Sequence, residues 1–182
     1  MKKEGEVWIS AVIYIGLGVV AITLLIGAGI PLINKMRDKN TYYQTKEVMH
    51  TIDDAILTVV SEGPGSRRFL SPLTLKKGKL FIDENQDGQV RWTMETKSVL
   101  QEPGVNLAEG NLVLNFTEDD IIVGQYDATI FVFYQPKGIE LSVNDDVQNG
   151  QVIGLDGTFS LSITNNGVDP AIGQTIVDIQ VE

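Results

Sequence analysis

Hydrophobic positions along the chain follow three successive patterns. From Val7 to Asn34 no charged side chain interrupts a run of large aliphatic and aromatic residues. As a helix this run would extend about 42 Å, more than the roughly 30 Å hydrocarbon core of a bilayer requires. Each large apolar side chain left in water costs about 1.5–3 kcal/mol, so the segment belongs in lipid or inside a bundle of similar helices. From Lys35 to Ser61 there is neither glycine nor proline, and Val48, Met49, Ile52, Ile56, Val59 and Val60 recur at spacings of three and four. This predicts an amphipathic helix with one apolar stripe, and with Lys46, Glu47, Asp53 and Asp54 mostly on its other side. Gly63-Pro64-Gly65 should end the helix. Pro31, preceded by Gly27 and Gly29, should kink or locally melt it, because proline lacks a backbone donor and crowds the previous turn.

After Gly65 the period changes to two. Leu112, Leu114 and Phe116 alternate with Val113, Asn115 and Thr117, and Phe159, Leu161 and Ile163 alternate with Thr158, Ser160, Ser162 and Thr164. Val177, Ile179 and Val181 repeat the pattern against Asp178 and Gln180, while Ala128–Tyr134 is apolar on both faces, as a central strand would be. Turn signals fall at Asp87-Gly88, Pro103-Gly104, Pro136-Lys137-Gly138, Asn149-Gly150 and Asn165-Asn166-Gly167. The expected fold is α+β: a long N-terminal helix over residues 6–62, apolar over 7–34 and amphipathic over 35–61, packed on an antiparallel β-sandwich-like head over 66–182.

Charge and composition narrow the function. The formal net charge of −10 and pI near 4.5 argue against nucleic acid as a partner, since an acidic surface repels phosphate. Cysteine is absent and His50 is the one histidine, so thiol nucleophiles, disulfides and multi-histidine sites are excluded. No nucleophile motif or phosphate loop occurs, and neither an enzyme nor a cofactor is expected. The apolar run is too long for the core of a secretory signal peptide, and no small-residue cleavage pattern precedes its polar end.

A short basic leader (Lys2, Lys3), a glycine (Gly5), then Glu6, Val7 and an apolar helix through Ile33 that leads into an amphipathic helix and a β-rich head resembles a type IV pilin, in particular the archaeal type with a class III signal peptide. The chain departs from the archaeal pattern at Glu4, where a basic residue usually precedes the glycine, and from the bacterial one at Ser10, where a glutamate is usual. The resemblance implies a leader over residues 1–5, cut between Gly5 and Glu6 by a prepilin peptidase. It implies a membrane-held precursor with its head outside, although the basic cluster Lys35, Arg37 and Lys39 would by the positive-inside rule favour the reverse. It also implies export by a pilus assembly machinery into a helical cell-surface filament of identical copies. Val7, Ile9, Ile13, Gly16, Leu17, Val20 and Leu24 would then pack in the filament core, where Gly16, Gly18, Ala21, Gly27 and Gly29 allow close approach. Trp8 and Tyr14 would either anchor at a headgroup interface or join that packing. The alternative is an uncleaved single-pass anchor presenting a β-sandwich for adhesion or envelope contacts.

Asp83, Asn85 and Asp87, followed by Gly88, match the first half of a calcium loop, but the twelfth position is Met94 and the flanks read as hairpin strands, so a polar turn is favoured over a metal site. Asn115-Phe116-Thr117 is the single N-glycosylation sequon. Asp53 with Asp54, and Asp119 with Asp120, are expected as solvated surface, His50 as an incidental helix residue, and Arg67-Arg68 as a solubilising loop.

Overall fold

The computed structural model describes residues 3–82, 88–144 and 154–182, with side chains described from Trp8 onward. The chain is α+β: helix α1 (Lys3–Glu62) precedes strands β1 (Arg67–Ile82), β2 (Gln89–Thr96), β3 (Leu107–Glu109), β4 (Leu112–Glu118) and β5 (Tyr126–Phe133). A single 3-10 turn, Gln135–Lys137, then leads to β6 (Ile139–Val143), β7 (Leu155–Val168) and β8 (Thr175–Val181). Two compact units are distinguished, Met1–Asp38 and Lys39–Glu182. The amphipathic part of α1 therefore belongs with the strands. The helix is continuous through Pro31. One missing donor leaves the neighbouring turns with their own hydrogen bonds. Gly63, at φ +95°, ends α1 where the Gly-Pro-Gly signal put it.

Eight strands form one hydrogen-bonded sheet in the order β3-β4-β5-β2-β1-β7-β8-β6, antiparallel except for the β6–β8 pair. Strand β1 gives this sheet its sandwich-like character. It pairs with β7 over Arg67–Leu80, with register shifts at Leu70/Leu73 and Leu75/Leu80, and with β2 over Lys79–Ile82. One long, bulged strand is thus shared by two groups of strands, β3-β4-β5-β2 and β7-β8-β6. Within Lys39–Glu182, Met49, Ile52, Ile56 and Val59 of α1 share a single core with Trp92, Phe116, Ile130, Leu161 and Ile179 from both groups.

The alternations expected from sequence place Leu112, Leu114, Phe116, Phe159, Leu161, Ile163, Val177 and Ile179 in that core, with Val181 packed against it. Strand β5 is central, paired on both sides, but it alternates: Ala128, Ile130 and Val132 are buried, and Phe133 is exposed. Four expectations are corrected. Asn165-Asn166-Gly167 is no turn; β7 runs through it with a bulge, where Gly167 takes φ +93°. Glycine's tolerance of positive φ serves bulges as well as turns. Arg67 and Arg68 open β1 instead of lying in a loop: Arg67 Nε donates to Ser162 Oγ at 2.6 Å, and Arg68 pairs with Glu62. Asp178, expected outward, is buried and accepts a hydrogen bond from Ser142 Oγ at 2.8 Å. The fourth, Asp53, is central to the site described below. Asn149-Gly150 and Asp87 lie outside the described residues.

Glycine is obligatory at one point of β1. Gly78 has φ +82°, and a Cβ there would lie 2.4 Å from the Thr93 carbonyl oxygen and 2.7 Å from Nε1 of the buried Trp92. The same indole N–H donates to Lys77 O at 3.1 Å, tying the bulge to the core. Gly78→Ala is expected to destabilise the full chain by about 1–3 kcal/mol through backbone strain alone. A fall in the urea midpoint of the detergent-solubilised chain, followed by Trp fluorescence, is the check.

Candidate assembly site

In the unit Met1–Asp38, helix α1 has no charged face between Trp8 and Asn34. Ile9, Ile13, Leu17, Val20 and Leu24, the residues expected to pack between copies, are between 57% and 68% exposed, and Trp8 and Tyr14 more so. Gly16, Gly18, Gly27 and Gly29 have nothing within 4 Å of where a Cβ would stand. Val7, Gly5 and Glu6 lie in α1, but their side chains are outside the described residues. The most apolar stretch has a mean hydropathy of 2.6, with none of it buried, and the helix is long and apolar enough to cross a membrane. Thr23 keeps its hydroxyl satisfied without water by donating to Val19 O at 2.8 Å. A helix apolar all round, with its large side chains exposed, is a surface for lipid or for other helices.

In the unit Lys39–Glu182, the amphipathic part of α1 is held by polar contacts set into the apolar interface. Asp53 is 3% exposed and lies on the apolar stripe, four residues after Met49 and three before Ile56. That spacing was visible in the sequence; reading Asp53 as solvated gave residue type more weight than helical position. Tyr134 Oη donates to Asp53 Oδ1 at 3.1 Å, Asn111 Nδ2 donates to Oδ2 at 2.8 Å, and Lys137 Nζ lies 3.8 Å from Oδ1. The Lys137 ammonium also stands 5.3 Å from the Tyr134 ring centroid. Three side chains, one from the β3–β4 turn and two from the start and end of the 3-10 turn, thereby converge on one buried carboxylate of the helix. Burial, then the Asp53 charge and hydrogen bond, push the Tyr134 hydroxyl well above the ordinary tyrosine range.

The helix C-terminus is fastened the same way. The orphan carbonyl of Val59 accepts from Asn165 Nδ2 at 2.9 Å and from Ser66 Oγ at 2.6 Å. Asn165 is 106 residues away along the chain, so no local sequence signal could have found it as a cap. Nearer the other end of this helical part, Lys46 Nζ pairs with Glu109 at 2.6 Å and lies 5.2 Å from the Tyr43 ring centroid. Buried Tyr42 packs 6.3 Å from Trp92, and burial, followed by the charges of Glu109 and Tyr43, raises its hydroxyl to about 12.

Other expected sites take these places. Asn115 is half-buried on β4, and its Nδ2 donates to Asn106 Oδ1 at 2.5 Å. Asp83, Asn85 and Asp87 lie outside the described residues, while Met94 is buried on β2 and the strands flanking the turn pair as a hairpin. His50 is half-buried, with its ring near Gly110. Asp54 and Asp120 are exposed, as expected of solvated surface; Asp119 instead caps its own loop, accepting from the backbone N–H groups of Ile121 and Ile122. Among the described residues no group of three or more His, Asp or Glu side chains is placed to hold a metal. No protein-family model, curated protein or solved structure matches this chain.

Removing the phenol from the Asp53 cluster should leave a buried carboxylate short of a donor. Tyr134→Phe is expected to cost about 1–3 kcal/mol at neutral pH, and Asp53→Ala at least as much, both read from urea unfolding. Alkaline pH supplies a signed test. Tyr134 and Tyr42 have folded values above the ordinary value of about 10, so their contribution is complete below that pH and is lost as pH rises toward the folded values. The wild-type chain should therefore lose more stability between about pH 10 and 12 than Tyr134→Phe does, in urea midpoints measured across that range.

Proposed function

We propose that this chain is a structural, pilin-like subunit that polymerises through its N-terminal apolar helix into an extracellular filament. The observation that carries the reading is the all-round apolar, uncovered surface of α1 from Trp8 to Asn34. That surface requires a non-aqueous surrounding, and a bundle of identical helices replaces lipid without exposing it to water. The chemistry of transfer is undemanding: one apolar neighbour is exchanged for another, and the small residues at Gly16, Gly18, Gly27 and Gly29 permit backbones to approach. Within Lys39–Glu182 the amphipathic continuation is fixed to the strands by Asp53 and Asn165. In this reading the membrane holds the precursor, a prepilin peptidase removes residues 1–5, and the partners are copies of the same chain.

A second reading is an uncleaved single-pass anchor displaying the β-rich unit for adhesion or envelope contacts. It is favoured by the length and hydropathy of the same helix, which suffice for crossing a bilayer without any assembly.

N-terminal sequencing of sheared cell-surface material separates the two. The filament reading expects chains beginning at Glu6 in material that shows filaments by negative-stain electron microscopy. A terminus at Met1 or Lys2, with monomers released by detergent and no filaments, would establish the anchor instead.

A further inference from the structure

Among the described residues of the strand-rich unit, the most exposed large apolar side chains sit together on the β4–β5 loop. Ile121 is 91% and Val123 94% exposed. They are held in position: Asp119 Oδ1 accepts from Ile121 N at 2.7 Å and Ile122 N at 2.9 Å, and the loop is closed by Asp119 N to Gln125 O at 2.9 Å and Gln125 N to Ile122 O at 3.0 Å. An apolar tip kept in a fixed turn, not folded back onto the core, forfeits burial that either residue would otherwise gain. Its surroundings are acidic, with Glu118 and Asp120 exposed beside it and Asp127 behind it. The Asp127 carboxyl is raised by burial and then by the charges of Glu95 and Asp119, which marks a locally negative field.

The same chain carries the complement. At the polar end of the apolar run, Leu32, Ile33 and Met36 are 60%, 50% and 64% exposed, and the exposed Lys35 and Arg37 are interleaved with them. Spacings of three and four put Leu32, Lys35 and Met36 on one helical face, with Ile33 and Arg37 on the next. Two apolar residues flanked by carboxylates on the loop thus match apolar residues flanked by cations on the helix. An anionic lipid surface would repel the loop's carboxylates, whereas the basic collar attracts them.

We infer that the Ile121–Val123 tip of one copy docks on the Leu32–Arg37 collar of a second copy, with Glu118 and Asp120 facing Lys35 and Arg37. The inference rests on the filament reading and names one contact within it. A contact between two different surfaces can repeat head to tail into an open assembly, as the filament reading requires.

The absence of native cysteine makes disulfide mapping clean. Full-length chains carrying Val123→Cys are co-assembled with chains carrying Leu32→Cys, Ile33→Cys or Met36→Cys, oxidised, and run on non-reducing gels. The expected result is a disulfide dimer in mixed filaments with at least one of the three positions and in neither parent alone. Glu118→Lys with Asp120→Lys, placed on the Val123→Cys chain, should cut the yield about ten-fold. Yield should recover when the partner chain carries Lys35→Glu with Arg37→Glu. Filaments that form normally but give no mixed dimer at any position, or a yield indifferent to charge, would overturn this contact and leave the filament reading standing. An environment-sensitive label at Val123→Cys that shifts to the blue on monomers in phosphatidylcholine nanodiscs would assign the tip to lipid and also overturn it. Wild-type chains that never assemble would remove the filament reading and the contact together.

Discussion

Water cannot accommodate a helix that is apolar on every face, and the remaining architecture answers that constraint. Over Trp8–Asn34 no side chain is charged, and the large apolar ones are exposed. Buried apolar surface contributes about 25 cal/mol per Å², so a helix this size left in water would offset much of the marginal stability of an ordinary domain. The segment must therefore lie among lipid tails or among its own kind. Either surrounding is compatible with the satisfied hydroxyl of Thr23 and with the small residues spaced along the run.

The strand-rich unit gains from being built around the continuation of that helix. Met49, Ile52, Ile56 and Val59 complete a core to which both groups of strands contribute, and β1 carries the sheet from one group to the other through its bulges. Polar contacts then set the helix in one position: the Asp53 carboxylate takes donors from Tyr134 and Asn111, and the Val59 carbonyl takes them from Asn165 and Ser66. A buried carboxylate with fewer donors would be costly, so rotation or sliding of the helix on the sheet is penalised as well as loss of apolar contact.

Much of this was legible from periodicity. The apolar run, the stripe at Met49, Ile52, Ile56 and Val59, the helix stop at Gly63 and the in-facing positions of β4, β7 and β8 all follow from spacings of three, four and two. What escaped depended on partners distant in sequence. Asp53 and Asp178 are polar residues on buried faces, and only the contacts with Tyr134, Asn111 and Ser142 explain why they are tolerated there. Asn165 looked like a turn residue because its neighbours Asn166 and Gly167 are turn formers, whereas it caps a helix end from within a bulged strand. The long course of β1 escaped for a related reason: Pro72 and Gly78 break its alternation, and pairing with two different strands restores it. The parallel β6–β8 pair has no local signature at all. Function was legible only as a requirement for apolar surroundings and a resemblance in the first third of the chain.

Electron cryo-microscopy of native material sheared from the cell surface, with helical reconstruction, tests the central claim most directly. The account predicts a core of packed α-helices free of lipid, into which residues from Val7 to Asn34 can be traced, with the strand-rich units outside. A core built from anything else, or native protein found only as separate chains whose apolar helix remains in a bilayer, would contradict it.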